Sequence, residues 1–107
     1  CYFSNHYSPD DPDQRVQAFI SKYKSKYGEI PDAMAVLGYD AANVLADAMK
    51  RAGSADRAKI REALAATASF PGVSGDITFD ANRNARKSIV ILKIEGGRVK
   101  FHERIQP

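Results

Sequence analysis

A chain of 107 residues has room for one domain with one modest core, and an apolar content of 44% excludes wholesale disorder. Its 16 Lys and Arg against 13 Asp and Glu leave a formal charge of +3, with the basic residues dispersed along the chain. A surface that tracks phosphates needs a concentrated basic footprint, so nucleic acid is not an expected partner.

In chain order, Cys1–Phe3 reads as a short strand, more like the middle of a strand than an exposed terminus. Cys1 is the only cysteine, so no internal disulfide can form. The opening residues do not resemble a signal peptide, and no apolar run approaches the ~20 residues that cross a bilayer. A polar loop from Ser4 to Asp11 leads into a helix that tolerates Pro12 near its first turn. Val16, Phe19, Ile20, Tyr23 and Tyr27 recur at helical spacing and make one apolar face, and Gly28 is placed to end it. Pro31 and Asp32 set up the next entry, with Met34–Leu37 as a brief apolar stretch. A second helix, rich in alanine, is predicted from about Gly38 or Tyr39 to Arg51. Ser54 or Asp56 caps a third, reaching about Ala68, and the nearby Arg51, Arg57, Lys59 and Arg61 read as its solvated surface.

The period then changes. Phe70–Gly75 reads as a loop rich in helix and strand breakers, and Ile77–Phe79 as a short strand. Asp80–Asn84 is a turn whose side chains bond their own backbone. Ser88–Ile94 is a strand apolar on both faces, which predicts cover on both sides. Glu95–Arg98 fits a hairpin turn, and Val99, Phe101 and Ile105 mark a half-exposed final strand. Cys1–Phe3 has no obvious neighbour, and the helical faces are too apolar for so small a sheet. That mismatch points to absent partner segments.

No catalytic constellation emerges. Asp10, Asp11 and Asp13 beside His6 supply oxygen donors, but Pro9 and Pro12 break the spacing of a calcium loop, and the acids suit a helix start. Asp80–Asn84 lacks the glycine and distal glutamate of such a loop. Neither His6 nor His102 has a metal-ligating partner at suitable spacing. Ser74 has Asp76 where the Gly-x-Ser-x-Gly nucleophile elbow needs its second glycine, and Phe70–Gly75 lacks the Lys-Ser/Thr ending of a phosphate loop. No metal or cofactor is expected, and function must lie in binding. Leu37, Tyr39 and Asp40 are the ligand-facing candidates, since a helix start there would offer free N–H groups beside a carboxylate. The alternative is structural: Asp40 starts the helix and Tyr39 packs against a neighbour.

Taken in order, Phe19, Tyr23, Tyr27-Gly28 and Pro31, then Gly38-Tyr39-Asp40-Ala41, Ala52-Gly53-Ser54 and Phe70–Asp80 with its Phe-Pro-Gly-Val-Ser-Gly-Asp-Ile-Thr-Phe-Asp run carry a resemblance. The chain resembles the C-terminal third of the periplasmic solute-binding proteins of branched-chain amino-acid ABC transporters, the bilobed type I "Venus flytrap" class. The resemblance implies an α/β fold: a C-terminal fragment of the bilobed architecture, with three helices, short strands and a C-terminal hairpin. It implies a hinge strand and loop over residues 1–7, part of the N-terminal lobe over 8–86, and a hinge return and hairpin of the other lobe over 87–107. Tyr2, Phe3, Lys87 and Ser88 would lie at the hinge, and Leu37, Tyr39 and Asp40 near the cleft. Arg83 departs from the family's frequent Asp-x-Asn-Gly pattern, which implies a differently shaped turn.

The implied partners are a small solute such as an amino acid, an ABC transporter permease and the remaining segments of the parent protein. The implied location is periplasmic or extracytoplasmic, with lipid anchoring one way to hold the parent there. Two rivals stay open: a ligand-sensing domain of a receptor with the same fold, and a small interaction module. The module predicts that Cys1–Phe3 is paired and the helices are covered.

Overall fold

Each helix starts at an aspartate. The side chains of Asp13, Asp32 and Asp56 accept hydrogen bonds from the backbone N–H groups of Arg15, Ala35 and Lys59, satisfying donors the helices themselves leave free. The computed structural model describes all residues, 1–107, and these caps open α1 (Gln14–Tyr27), α2 (Ala33–Ala52) and α3 (Arg57–Ala65). The N–H groups of Gly28 and Gly53 close α1 and α2 onto Lys24 and Met49.

The six strands are β1 (Tyr2–Asn5), β2 (Phe70–Gly72), β3 (Gly75–Phe79), β4 (Ala85–Arg86), β5 (Ile89–Glu95) and β6 (Arg98–Ile105). They form two antiparallel sheets, ordered β1-β5-β6 and β2-β3-β4. The first strand therefore does have a neighbour: Tyr2 stands opposite Lys93 and Asn5 opposite Val90. A bulge at Ile91/Leu92 displaces His102 from the ladder, where its ring meets Tyr2 edge-on at 5.0 Å.

Two predicted boundaries need correction. The second helix begins at Ala33, so Met34–Leu37 belongs to its first turns. Asp32 holds that start, and Gly38 lies inside the helix, where an added Cβ would meet nothing within 4 Å. Phe70–Gly75 is not a loop but a hairpin, with Phe70 opposite Ile77, Gly72 opposite Gly75, and Val73 and Ser74 at the turn. Pro71 is tolerated because β2 is an edge strand. The Asp80–Asn84 turn closes as predicted, with one Asp80 carboxylate oxygen accepting from the N–H groups of Asn82 and Asn84. These bonds hold the Asp80 carboxyl below its ordinary range.

The core gathers Tyr7, Val16, Phe19, Val36 and Val73 from the loop before α1, from α1 and α2, and from the β2–β3 turn. Only 19 of 107 residues are buried, and Met34, Leu45 and Met49 leave 69%, 44% and 42% of their surface exposed along α2. The helices are thus uncovered, contrary to what a self-sufficient module predicts.

Tyr7 locks the entry to α2: its buried hydroxyl donates to the Pro31 carbonyl at 2.8 Å. Burial, reinforced by Asp32 and Asp10, pushes the phenol up to about 12. The folded state therefore favours the neutral phenol, a contribution complete below the unfolded value near 10 and lost as pH rises through about 12. Ultraviolet titration should show a late phase near pH 12 from Tyr7. Tyr7→Phe should remove that late phase and cost about 1–3 kcal/mol by orphaning a buried carbonyl.

Candidate functional site

A cavity of about 290 Å³ opens where α1, α2 and β2 meet. Its walls include Phe19 and Lys22 of α1, Tyr39, Asp40 and Asn43 of α2, and Phe70 of β2. Phe19 and Tyr39 pack with ring centroids 4.5 Å apart, giving one side an aromatic surface. Arg15 stands at the rim, but its guanidinium already pairs with Asp76 at 2.8 Å. That hydrogen bond, more than any other influence, raises its pKa above the ordinary arginine value. Lys22 carries no ion pair or hydrogen bond, so one ammonium is free to meet an anion. Asn43 donates to the Tyr39 carbonyl at 2.9 Å, which leaves its amide oxygen as an acceptor. Apolar walls, one free cation and one amide suit a small carboxylate with an apolar or aromatic body.

Two of the three ligand-facing candidates line this cavity, but not for the predicted reason. Tyr39 and Asp40 sit in the second turn of α2, where the backbone N–H groups are already used by the helix. No helix-start anion site exists there. Asp40 is 3% exposed, and its carboxylate accepts from Val73 N–H at 2.8 Å, Ser74 N–H at 2.8 Å and the Ser74 hydroxyl at 2.6 Å. It fastens the β2–β3 turn to α2 and leaves no oxygen to spare. Leu37 is half-buried and does not line the cavity.

Of the four hinge candidates, Lys87 and Ser88 form the passage from β4 into β5, whereas Tyr2 and Phe3 lie within β1, opposite Lys93 and Leu92, and not in the segment that leaves it for α1. Tyr2 and Phe3 are exposed on β1. Lys87 Nζ lies 3.1 Å from His6 Nδ1, joining the two connecting segments. Burial, and then the Lys87 charge, lower the His6 pKa. Burial lowers the Lys87 pKa as well, with Asp40 opposing and Arg104 adding to the effect. Ser88 is buried and its hydroxyl accepts from Arg104 Nη1 at 2.6 Å.

The sequence does not signal Lys22, Asn43 and Phe70 as cavity residues, nor Arg104 as a half-buried one. Phe70 sits in a run that reads as a loop, and Lys22 is one of many lysines with no local signature. A second, wider groove of about 560 Å³ lies between α3 and the β3–β4 turn and shares no residue with the first. No group of three or more His, Cys, Asp or Glu converges as a metal site, and no helix is long and apolar enough to cross a membrane.

Comparison with known proteins gives this geometry its context. A Leu/Ile/Val-binding protein homologue of Brucella abortus is 33% identical over 94 residues, covering 87% of this chain and 25% of that protein. The leucine-binding protein LivK of Thermotoga maritima superposes with a TM-score of 0.85 and is 44% identical, covering 99% of this chain and 31% of its own. A solute-binding protein of an ABC transporter from R. palustris, in complex with benzoate, gives a TM-score of 0.83 at 29% identity, covering 99% of this chain and 30% of its own. The chain thus spans between a quarter and a third of the relatives it matches. The sequence profile described as periplasmic binding protein matches residues 1–98. With the α/β architecture of three helices and antiparallel strands found here, that match places the chain in the periplasmic binding protein family, whose members bind solutes without transforming them.

Proposed function

We propose that this chain supplies part of a two-lobed extracytoplasmic protein that captures a small amino acid or related carboxylate and delivers it to an ABC transporter permease. One observation carries the reading: the segments leaving β1 and entering β5 run together between the β1-β5-β6 sheet and the helical body. Two close-set connections between two bodies are what a hinge requires. Residues 1–7 then form a hinge strand and loop, 8–86 belong to one lobe, and 87–107 return across the hinge into the other. The parent works outside the cytoplasmic membrane, free or lipid-anchored, and its remaining segments cover the exposed apolar faces of α2. Solute bound in the closed arrangement stabilises closure by its differential affinity for that state.

The relatives' names motivate a panel of leucine, isoleucine, valine and benzoate, titrated into the two-lobed parent by calorimetry. One member should bind at micromolar concentration or tighter. Tyr39→Ala should then weaken binding roughly tenfold or more, as loss of a packed aromatic anchor does. No heat with any panel member would sink the amino-acid and benzoate reading. Unchanged affinity in the Tyr39 variant would place the cavity outside the solute cleft.

A further inference from the structure

We propose that Arg104 is a positioning residue, tying the β1-β5-β6 sheet to the helical body and holding the angle between the two lobes on which solute affinity depends. The proposal rests on the two-lobed reading above. Arg104 lies at the base of the final hairpin, opposite Val90, where β6 comes back to the hinge. Its guanidinium, with a side chain only 19% exposed, donates to three separate elements. Nη2 pairs with Asp11 in the loop before α1, whose side chain is 4% exposed. Nη1 reaches the Ser88 hydroxyl at 2.6 Å, in the β4–β5 connection, and the Ser74 carbonyl at 3.4 Å, at the tip of the β2–β3 turn. No other side chain of the β1-β5-β6 sheet makes a hydrogen bond or ion pair with the helical body.

Each partner is itself held. Asp11 accepts from the Asp13 N–H at 3.0 Å through its other oxygen, fixing it against the start of α1. Ser74 is fastened to α2 by Asp40. The cluster therefore runs from β6 through Arg104 and Ser74 to Asp40, next to Tyr39 in the cavity wall. A planar fork with five donors can span such a set, whereas a lysine ammonium cannot reproduce its geometry. Without this attachment the two short segments are the only links this chain supplies between the lobes, which then sample a wider range of angles. Apparent solute affinity falls by the fraction of molecules that leave the binding-competent arrangement.

The test places one spin label at Lys59 on α3 and one at Lys100 on β6 of the two-lobed parent, both exposed, and reads the interlobe distance distribution by double electron–electron resonance. Arg104→Gln should at least double the width found in the unsubstituted protein and weaken solute binding roughly tenfold. Arg104→Lys should restore part of the narrowing, because it recovers the charge opposite Asp11 without the fork. Should Arg104→Gln fail to fold, Asp11→Asn, which keeps size and an acceptor, is read in its place and should also broaden the distribution. An unchanged width in the variant that folds, with far-UV circular dichroism intact, overturns the proposal. If the unsubstituted parent binds none of the panel, the transport reading fails while the width comparison still decides the role of Arg104.

Discussion

Asp40→Ala should lower stability by about 3–5 kcal/mol, the cost of removing one partner from a buried charged network. The carboxylate satisfies two backbone N–H groups and a hydroxyl at the β2–β3 turn, and all three donors lie in a region closed to water. Alanine leaves the two N–H groups orphaned, while the Ser74 hydroxyl can rotate toward another acceptor. Asp40→Asn retains one acceptor oxygen but turns an NH₂ group toward donors, so a loss of about 2–3 kcal/mol is expected. Urea denaturation of the two-lobed parent, followed by circular dichroism, reads both values. A loss below about 1 kcal/mol for the alanine variant would mean that the turn does not depend on this anchor. Because Tyr39 adjoins Asp40 and lines the cavity with it, the alanine variant should also bind solute less tightly.

Gly75→Ala is the second large effect. Gly75 has φ +125°, a conformation L-residues rarely adopt, and an added Cβ would lie 2.6 Å from Ser88 Oγ and 3.4 Å from Arg104 Nη1. Ser88 can yield only by giving up its bond to Arg104, so the methyl group and the buried cluster compete for the same space. Backbone strain of about 1–3 kcal/mol and overpacking of similar size predict a loss of about 2–5 kcal/mol. Gly97→Ala supplies the control: φ is +73° there too, but nothing stands within 4 Å. That variant should cost about 1 kcal/mol, for strain alone. Similar losses at both positions would show that backbone conformation, not the Ser88–Arg104 contact, governs the first.

These two residues show what the sequence made legible and what it did not. The helices are readable from apolar spacing and their aspartate caps, yet Met34–Leu37 reads as a run of its own and hides the first turns of α2. Extended by one more turn, its buried face becomes Val36, Asp40, Val44 and Ala48, every fourth residue. A single aspartate in such a line signals a buried anchor, so Asp40's role was within reach of the periodicity. The β2–β3 hairpin was hidden by Pro71, by its glycines and by a Val-Ser turn that matches no familiar hairpin dipeptide. Arg104 was beyond local pattern altogether. Strand alternation put it on the polar side of β6, and its charged partner lies 93 positions earlier. The cavity was half legible: Tyr39 and Asp40 were named, whereas Lys22, Asn43 and Phe70 meet them only through tertiary packing. The exposed apolar surface of α2 agrees with the mismatch between rich helical faces and a small sheet.

In the proposed function this chain holds part of a solute site that the rest of a two-lobed protein completes. Side-by-side calorimetric titration of the parent and of the isolated 107-residue chain, with whichever panel solute binds, tests it most directly. The parent should bind one-to-one at micromolar concentration or tighter, and the isolated chain, as a verified, folded monomer, should give no measurable heat. Micromolar binding by that isolated monomer would contradict it.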